Sequence, residues 1–98
     1  MAETGELTNA LLKEVQTDAI LKRGRASDCN KATQSGYYRC ENNCINSPSN
    51  NAGILKVYSV GDGGECIAIQ EYMDIECNFS IRLSWATGGF RWSPWKNL

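Results

Sequence analysis

The stretch CNFSIRLSW, residues 77–85, decides the fold class. Cys77, Phe79, Ile81, Leu83 and Trp85 alternate with Asn78, Ser80, Arg82 and Ser84. A side-chain period of two belongs to a β-strand with one dry and one wet face, as in an antiparallel sheet that covers a core. Phe79 and Trp85 are therefore expected to point inward, and Trp85→Ala to destabilise the fold by about 3–5 kcal/mol. After the turn Ala86-Thr87-Gly88-Gly89, the segment Phe90-Arg91-Trp92 reads as a short return strand whose aromatic rings pair with the apolar row. Pro94 has no backbone donor and is expected to end that ladder.

Working backwards, residues 54–60 are rich in β-branched and aromatic side chains, with Leu55 and Val57 on one face and Ile54, Lys56 and Tyr58 on the other. Gly61-Asp62-Gly63-Gly64 supplies the backbone freedom of a tight reversal. Residues 65–72 return, with Ile67 and Ile69 on one face and Cys66, Ala68, Gln70 and Tyr72 on the other. Residues 37–40 read as a first short strand after the turn residue Gly36, and residues 41–53, full of Asn, Ser, Pro and Gly, read as a long loop. The expected fold is mainly β: a small antiparallel sheet domain with an aromatic core, over residues 26–98.

Residues 1–25 form a separate N-terminal segment. Leu7, Leu11 and Val15, with Ala19 and Ile20, recur near helical spacing, and Thr8 or Asn9 can cap a first turn. A short helix fits this pattern, although Val15-Gln16-Thr17 fits an extended chain equally well. The apolar stripe makes Leu7, Leu11 and Val15 candidate assembly residues. Lys22, Arg23 and Arg25 read as a solvated boundary.

The 98 residues are enough for one domain, and 42% hydrophobic with 21% charged residues argues against a disordered chain. No apolar run reaches the length of a membrane helix, and the acidic N-terminus lacks the basic start of a secretory signal, so neither membrane insertion nor a leader is expected. A net charge of −1 gives no attraction to nucleic acid. The absence of histidine removes imidazole acid–base chemistry, and the carboxylates Asp62, Glu65, Glu71, Asp74 and Glu76 fall mostly in or beside turns, so no catalytic residues are assigned. The glycines at 61, 63 and 64 lead into a strand, not a helix, and make no phosphate loop. Five cysteines, Cys29, Cys40, Cys44, Cys66 and Cys77, leave one over from any full pairing. Their only close pair is Cys40 and Cys44, which argues against zinc; neither a metal nor another cofactor is expected.

The ordered series Asp28-x-Asn30, Gly36-Tyr37-Tyr38, an Asn/Ser/Pro-rich loop, Gly53-Ile54-Leu55-x-Val57 and Gly88-Gly89-Phe90-x-Trp92-Ser93-x-Trp95-Lys96-x-Leu98 resembles the pyocin-knob type of domain. Such domains occur in bacteriophage tail fibres and phage-tail-like bacteriocins. The resemblance spans residues 26–98, and its most specific part is the Trp-Ser-x-Trp-Lys-x-Leu ending. It implies a mostly β, noncatalytic module of a host-recognising fibre, usually trimeric, made in the bacterial cytoplasm and placed in the virion tail. Its partners would be a bacterial surface glycan or other phage tail proteins. Two roles follow: carbohydrate recognition at the host surface, or a structural connector or trimerisation module. For recognition, aromatic rings provide flat platforms for sugars, with Gln70, Asn78, Arg82 or Arg91 giving directional hydrogen bonds. The candidate ligand-binding residues are Trp92, Trp95, Arg91, Asn46 and Asn50.

Overall fold

In the computed structural model, which describes residues 22–62 and 64–98, the chain forms one sheet of six strands laid side by side in chain order. They are β1 (Lys22–Arg25), β2 (Gly36–Cys40), β3 (Gly53–Asp62), β4 (Glu65–Asp74), β5 (Phe79–Thr87) and β6 (Lys96–Asn97). The mainly β expectation holds. The sheet is mixed and not antiparallel throughout, because β1 pairs parallel with β2 while every later pair is antiparallel. The basic residues of the 22–25 boundary thus form an exposed edge strand, where Lys and Arg discourage further strand addition. The expected N-terminal helix and the candidate assembly residues Leu7, Leu11 and Val15 lie outside the described residues.

The central hairpin follows the sequence closely. Ile54 to Asp62 pair in unbroken register with Met73 to Glu65, and Gly64 takes the turn with φ of +86°. Gly53 is fixed by close approach: a Cβ there would sit 2.4 Å from the Met73 carbonyl oxygen. At the other end of the chain the pairing departs from expectation. Phe90-Arg91-Trp92 forms no continuous strand; Trp92 makes a single bridge to Ser84, and the final strand forms beyond Pro94, where Lys96 and Asn97 pair with Ile81 and Ser80.

The alternation of β5 is real, but its faces are reversed. Ser80, Arg82 and Ser84 are buried, while Leu83 is exposed and Trp85 is 70% exposed. Phe79 and Ile81 are only half-buried. The inward set continues across the sheet as Ala68, Gln70, Tyr72 and Asp74 on β4 and Leu55 and Val57 on β3. An aromatic core is therefore not what forms. The core cluster comprises Leu55, Val57, Tyr72, Cys29, Cys40, Ala26 and Ala32, with Tyr38, Cys44 and Trp95 packed against it.

The reversal has a physical cause in what covers the inner face. Pieces of irregular chain lie there: the β1–β2 crossover, the β2–β3 loop and the tail after β5. Irregular backbone under cover carries carbonyls and amides that have no ladder partner, and each must find one. The inward polar side chains provide them. Gln70 Nε2 donates to the carbonyls of Cys29 (2.7 Å) and Ala32 (2.9 Å), and the Tyr72 hydroxyl donates to that of Asn51 (2.7 Å). Ser84 Oγ accepts the Arg91 N–H at 2.7 Å.

Two substitutions separate this arrangement from the one expected from the alternation alone. Gln70→Leu strands the Ala32 carbonyl and the Arg82 Nε–H, at about 1–3 kcal/mol for each buried group, and leaves the Cys29 carbonyl only the Ala32 N–H, so a loss of about 3 kcal/mol is expected. Trp85→Ala in the isolated subunit is expected to change stability by no more than about 0.5 kcal/mol. Urea unfolding of both variants checks the pair; the opposite ranking would place Trp85 in the core.

Candidate functional site

The best-built constellation on the inner face centres on Arg82, which is only 6% exposed. Its Nε donates to Gln70 Oε1 at 2.8 Å, its register partner on β4. Its guanidinium lies between two indole rings, 4.6 Å from the Trp92 centroid and 4.4 Å from that of Trp95. Burial pulls the Arg82 pKa down from its ordinary value, against the opposing influence of Cys29 and Asp28. Nη2 has no hydrogen-bond partner among the described residues.

This clamp uses the two tryptophans that the sequence suggested as sugar platforms. Each is also tied by its indole N–H: Trp92 donates to the Asn30 carbonyl at 3.3 Å and Trp95 to the Asn46 carbonyl at 2.8 Å. Trp95 further meets Tyr72 edge-to-face, with centroids 6.3 Å apart. Asn46 adopts a positive φ of 61°, and its side chain donates to Asp28 Oδ1 at 2.8 Å. The structure thus brings Trp92, Trp95 and Asn46 together, through backbone carbonyls and a shared cation. Arg91 is exposed, and the Asn50 carbonyl accepts the Asn43 N–H. Gln70 and Arg82, offered by the sequence as ligand donors, are instead committed to the interior.

A cleft of about 890 Å³ lies elsewhere, against β1 and β2, walled by Tyr37, Tyr38, Ile54 and Ile75 with Lys22 and Arg39. Neither Trp92 nor Trp95 belongs to its wall.

Because the polar rows face inward, the apolar rows face out. Ile54, Tyr58 and Val60 on β3, Ile69 and Met73 on β4, and Leu83 and Trp85 on β5 are all exposed. Ile67, Phe79 and Ile81 complete the surface as half-buried members. Within it Lys56 and Glu71 are direct cross-strand partners, exposed Glu65 lies on the same row at the hairpin end, and the Lys56 ammonium also lies over the Tyr58 and Tyr37 rings at 5.0 and 5.4 Å. With strands of nine or ten residues, the three-strand face measures about 30 by 15 Å, or about 450 Å². An apolar face of that extent matches the largest patch of a typical monomer, which is often a functional surface. None of these residues is among the ligand-binding or assembly candidates assigned from the sequence, whose reading of residues 77–85 turns Phe79 and Trp85 inward.

Sequence spacing also hid a group of thiols. The fold brings Cys29 to Cys40 and Cys44, so that their three sulfur atoms lie within 4.8 Å of one another. Cys29 is pushed far above its ordinary pKa by the neighbouring Cys40 thiol and by burial; burial is the main cause of the rise at Cys44.

Among the carboxylates, Asp74 is held in a network of hydrogen bonds. Asp74, 4% exposed, accepts from Ser49 Oγ, from the Asn51 and Asn78 carboxamides and from the Glu76 and Asn78 amides. Burial alone would raise its pKa, but these donors, led by Asn78, outweigh it and hold the carboxyl well below the usual range. A depressed carboxylate contributes stability above its unfolded pKa of about 3.9 and loses it as pH falls below that value. Between pH 5 and pH 2 the urea midpoint of the wild-type chain is expected to fall more steeply than that of Asp74→Asn. Parallel pH profiles would remove Asp74 from the acid sensitivity.

Comparison with protein-family models, curated proteins and solved structures finds no match.

Proposed function

We propose that this chain is a noncatalytic module of a bacteriophage tail fibre or related phage-tail-like particle, acting as a connector in which the bare β3–β5 face packs against further copies of the same chain. The observation that carries this reading is the outward row of Ile, Val, Leu, Met, Phe and Trp side chains across three adjacent strands. Interfaces between identical subunits favour apolar, aromatic-rich and charge-poor centres, and this face has that composition. Lys56 and Glu71 oppose each other at its middle, Glu65 adds a charge only at the hairpin end, and the chain as a whole carries a net charge of only −1, so a strongly charged partner has little to recognise. The pyocin-knob resemblance supplies the fibre context and the expectation of a trimer.

Carbohydrate recognition at the host surface is the second reading. It is supported by the half-buried Phe90 and Trp92 rings, stacked at 5.6 Å and 11°, beside the exposed Arg91. The clamp on Arg82 weighs against it, since the Trp92 and Trp95 faces that would meet a sugar are partly taken by the cation.

Sedimentation equilibrium of the full chain distinguishes the two. Self-association to a multiple of 10.9 kDa is expected at high micromolar concentration, and Leu83→Glu combined with Trp85→Glu is expected to abolish it without unfolding the subunit. A strict monomer, or an oligomer indifferent to these substitutions, would overturn the connector reading. Specific binding on a glycan array by that monomer, lost in Trp92→Ala, would establish the second reading.

A further inference from the structure

The thiols of Cys29, Cys40 and Cys44 come from separate pieces of chain: the 3-10 turn Cys29–Lys31, the last residue of β2 and the loop that follows it. Their sulfurs lie within 4.8 Å of one another, and the Cys29 and Cys44 sulfurs are 3.8 Å apart. A tetrahedral ion with metal–sulfur bonds of about 2.3 Å holds its sulfur ligands about 3.8 Å apart. One pair already has that separation, and the third sulfur lies within about 1 Å of it. A disulfide would instead require two sulfurs to close to about 2.05 Å.

Besides the Cys44 thiol, which donates to the Ala26 carbonyl at 3.2 Å, the supporting backbone has ties of its own. The Cys29 carbonyl accepts from Gln70, the Cys29 N–H donates to the Ile45 carbonyl at 2.9 Å, and the Ile45 N–H donates to that of Ser27 at 3.1 Å. Cys29 and Cys40 are fully buried and Cys44 is half-buried.

A second observation concerns charge. Arg82 donates to the same Gln70 carboxamide that holds the Cys29 carbonyl, is almost wholly buried, and has an Nη2 with no hydrogen-bond partner among the described residues. Buried charges are ordinarily paired. Three thiolates around a divalent ion carry one net negative charge, which is complementary to that of the buried guanidinium. Sulfur ligands select soft ions over the oxygen-seeking calcium and magnesium.

We propose that Cys29, Cys40 and Cys44 bind one divalent thiophilic ion of the zinc and cadmium class. On loading, each thiol releases its proton to solvent and each sulfur donates an electron pair to the ion; nothing is oxidised or reduced. The ion pins the crossover and the β2–β3 loop to the end of β2, a staple for a small domain with a modest apolar core.

The test uses the full chain, reduced and kept free of air, titrated with cadmium and followed by sulfur-to-metal absorbance. One equivalent is expected to bind. Cys44→Ser is expected to weaken binding by about tenfold or more, while the double variant Cys66→Ser with Cys77→Ser binds as the wild type does. Binding that survives Cys44→Ser, or that follows Cys66 or Cys77, overturns the site. So does a Cys29–Cys44 disulfide in the nonreduced chain. Should Cys44→Ser fail to fold, X-ray absorption on the zinc-loaded wild-type chain decides: three sulfur neighbours at about 2.3 Å support the site, and a first shell of oxygen or nitrogen alone overturns it.

Discussion

The Gln70 carboxamide joins the β1–β2 crossover to the sheet and, through Arg82, to the C-terminal tail. Its nitrogen holds two carbonyls of the β1–β2 crossover, and its oxygen receives Arg82, whose guanidinium is in turn enclosed by Trp92 and Trp95. A sheet covered by irregular chain cannot present only oil to that cover, because the covering backbone needs donors and acceptors from below. Polar residues are consequently selected for the inner face of β4 and β5, while the apolar contacts collect under β2 and β3. The small aliphatic core and the large buried polar network are two results of one constraint.

The same constraint accounts for the outer surface. A strand that turns its serines and arginine inward must turn its alternating partners outward, and on β5 those partners are Phe79, Ile81, Leu83 and Trp85. The flanking strands add further apolar side chains to that face. In the proposed connector role, burial of this face between subunits would supply the dry contact that the single chain forms only in part. The fold of the subunit and its assembly then use opposite sides of one sheet, and substitutions on one side should leave the other largely intact.

The elements were readable because they rest on local rules. The β3–β4 hairpin follows from β-branched runs around a glycine turn, and the β5 strand follows from its period of two. Which side of β5 faces in was not settled by that period, since alternation marks two faces without saying which one is covered. A signal was present in the kind of polar residue. Ser80, Ser84 and Gln70 are short or uncharged groups suited to interior hydrogen bonds, whereas a solvated strand face more often carries lysine and glutamate. Trp92 and Trp95 were found as important residues, but their partner Arg82 lies on another element, and a ring clamped on a cation looks the same in sequence as a ring offered to a sugar. Cys29 was separated from Cys40 and Cys44 for a similar reason: only the crossover, whose path depends on Gln70, brings it near them.

Nuclear Overhauser contacts in the isotopically labelled chain test the reversed sheet most directly, since they report which side chains share the interior whatever the state of assembly. The Gln70 carboxamide protons are expected to exchange slowly and to lie near Cys29 and Ala32, while the Trp85 indole shows no contact with Leu55 or Val57. A Trp85 indole in contact with those two side chains, together with a rapidly exchanging Gln70 carboxamide, would contradict it.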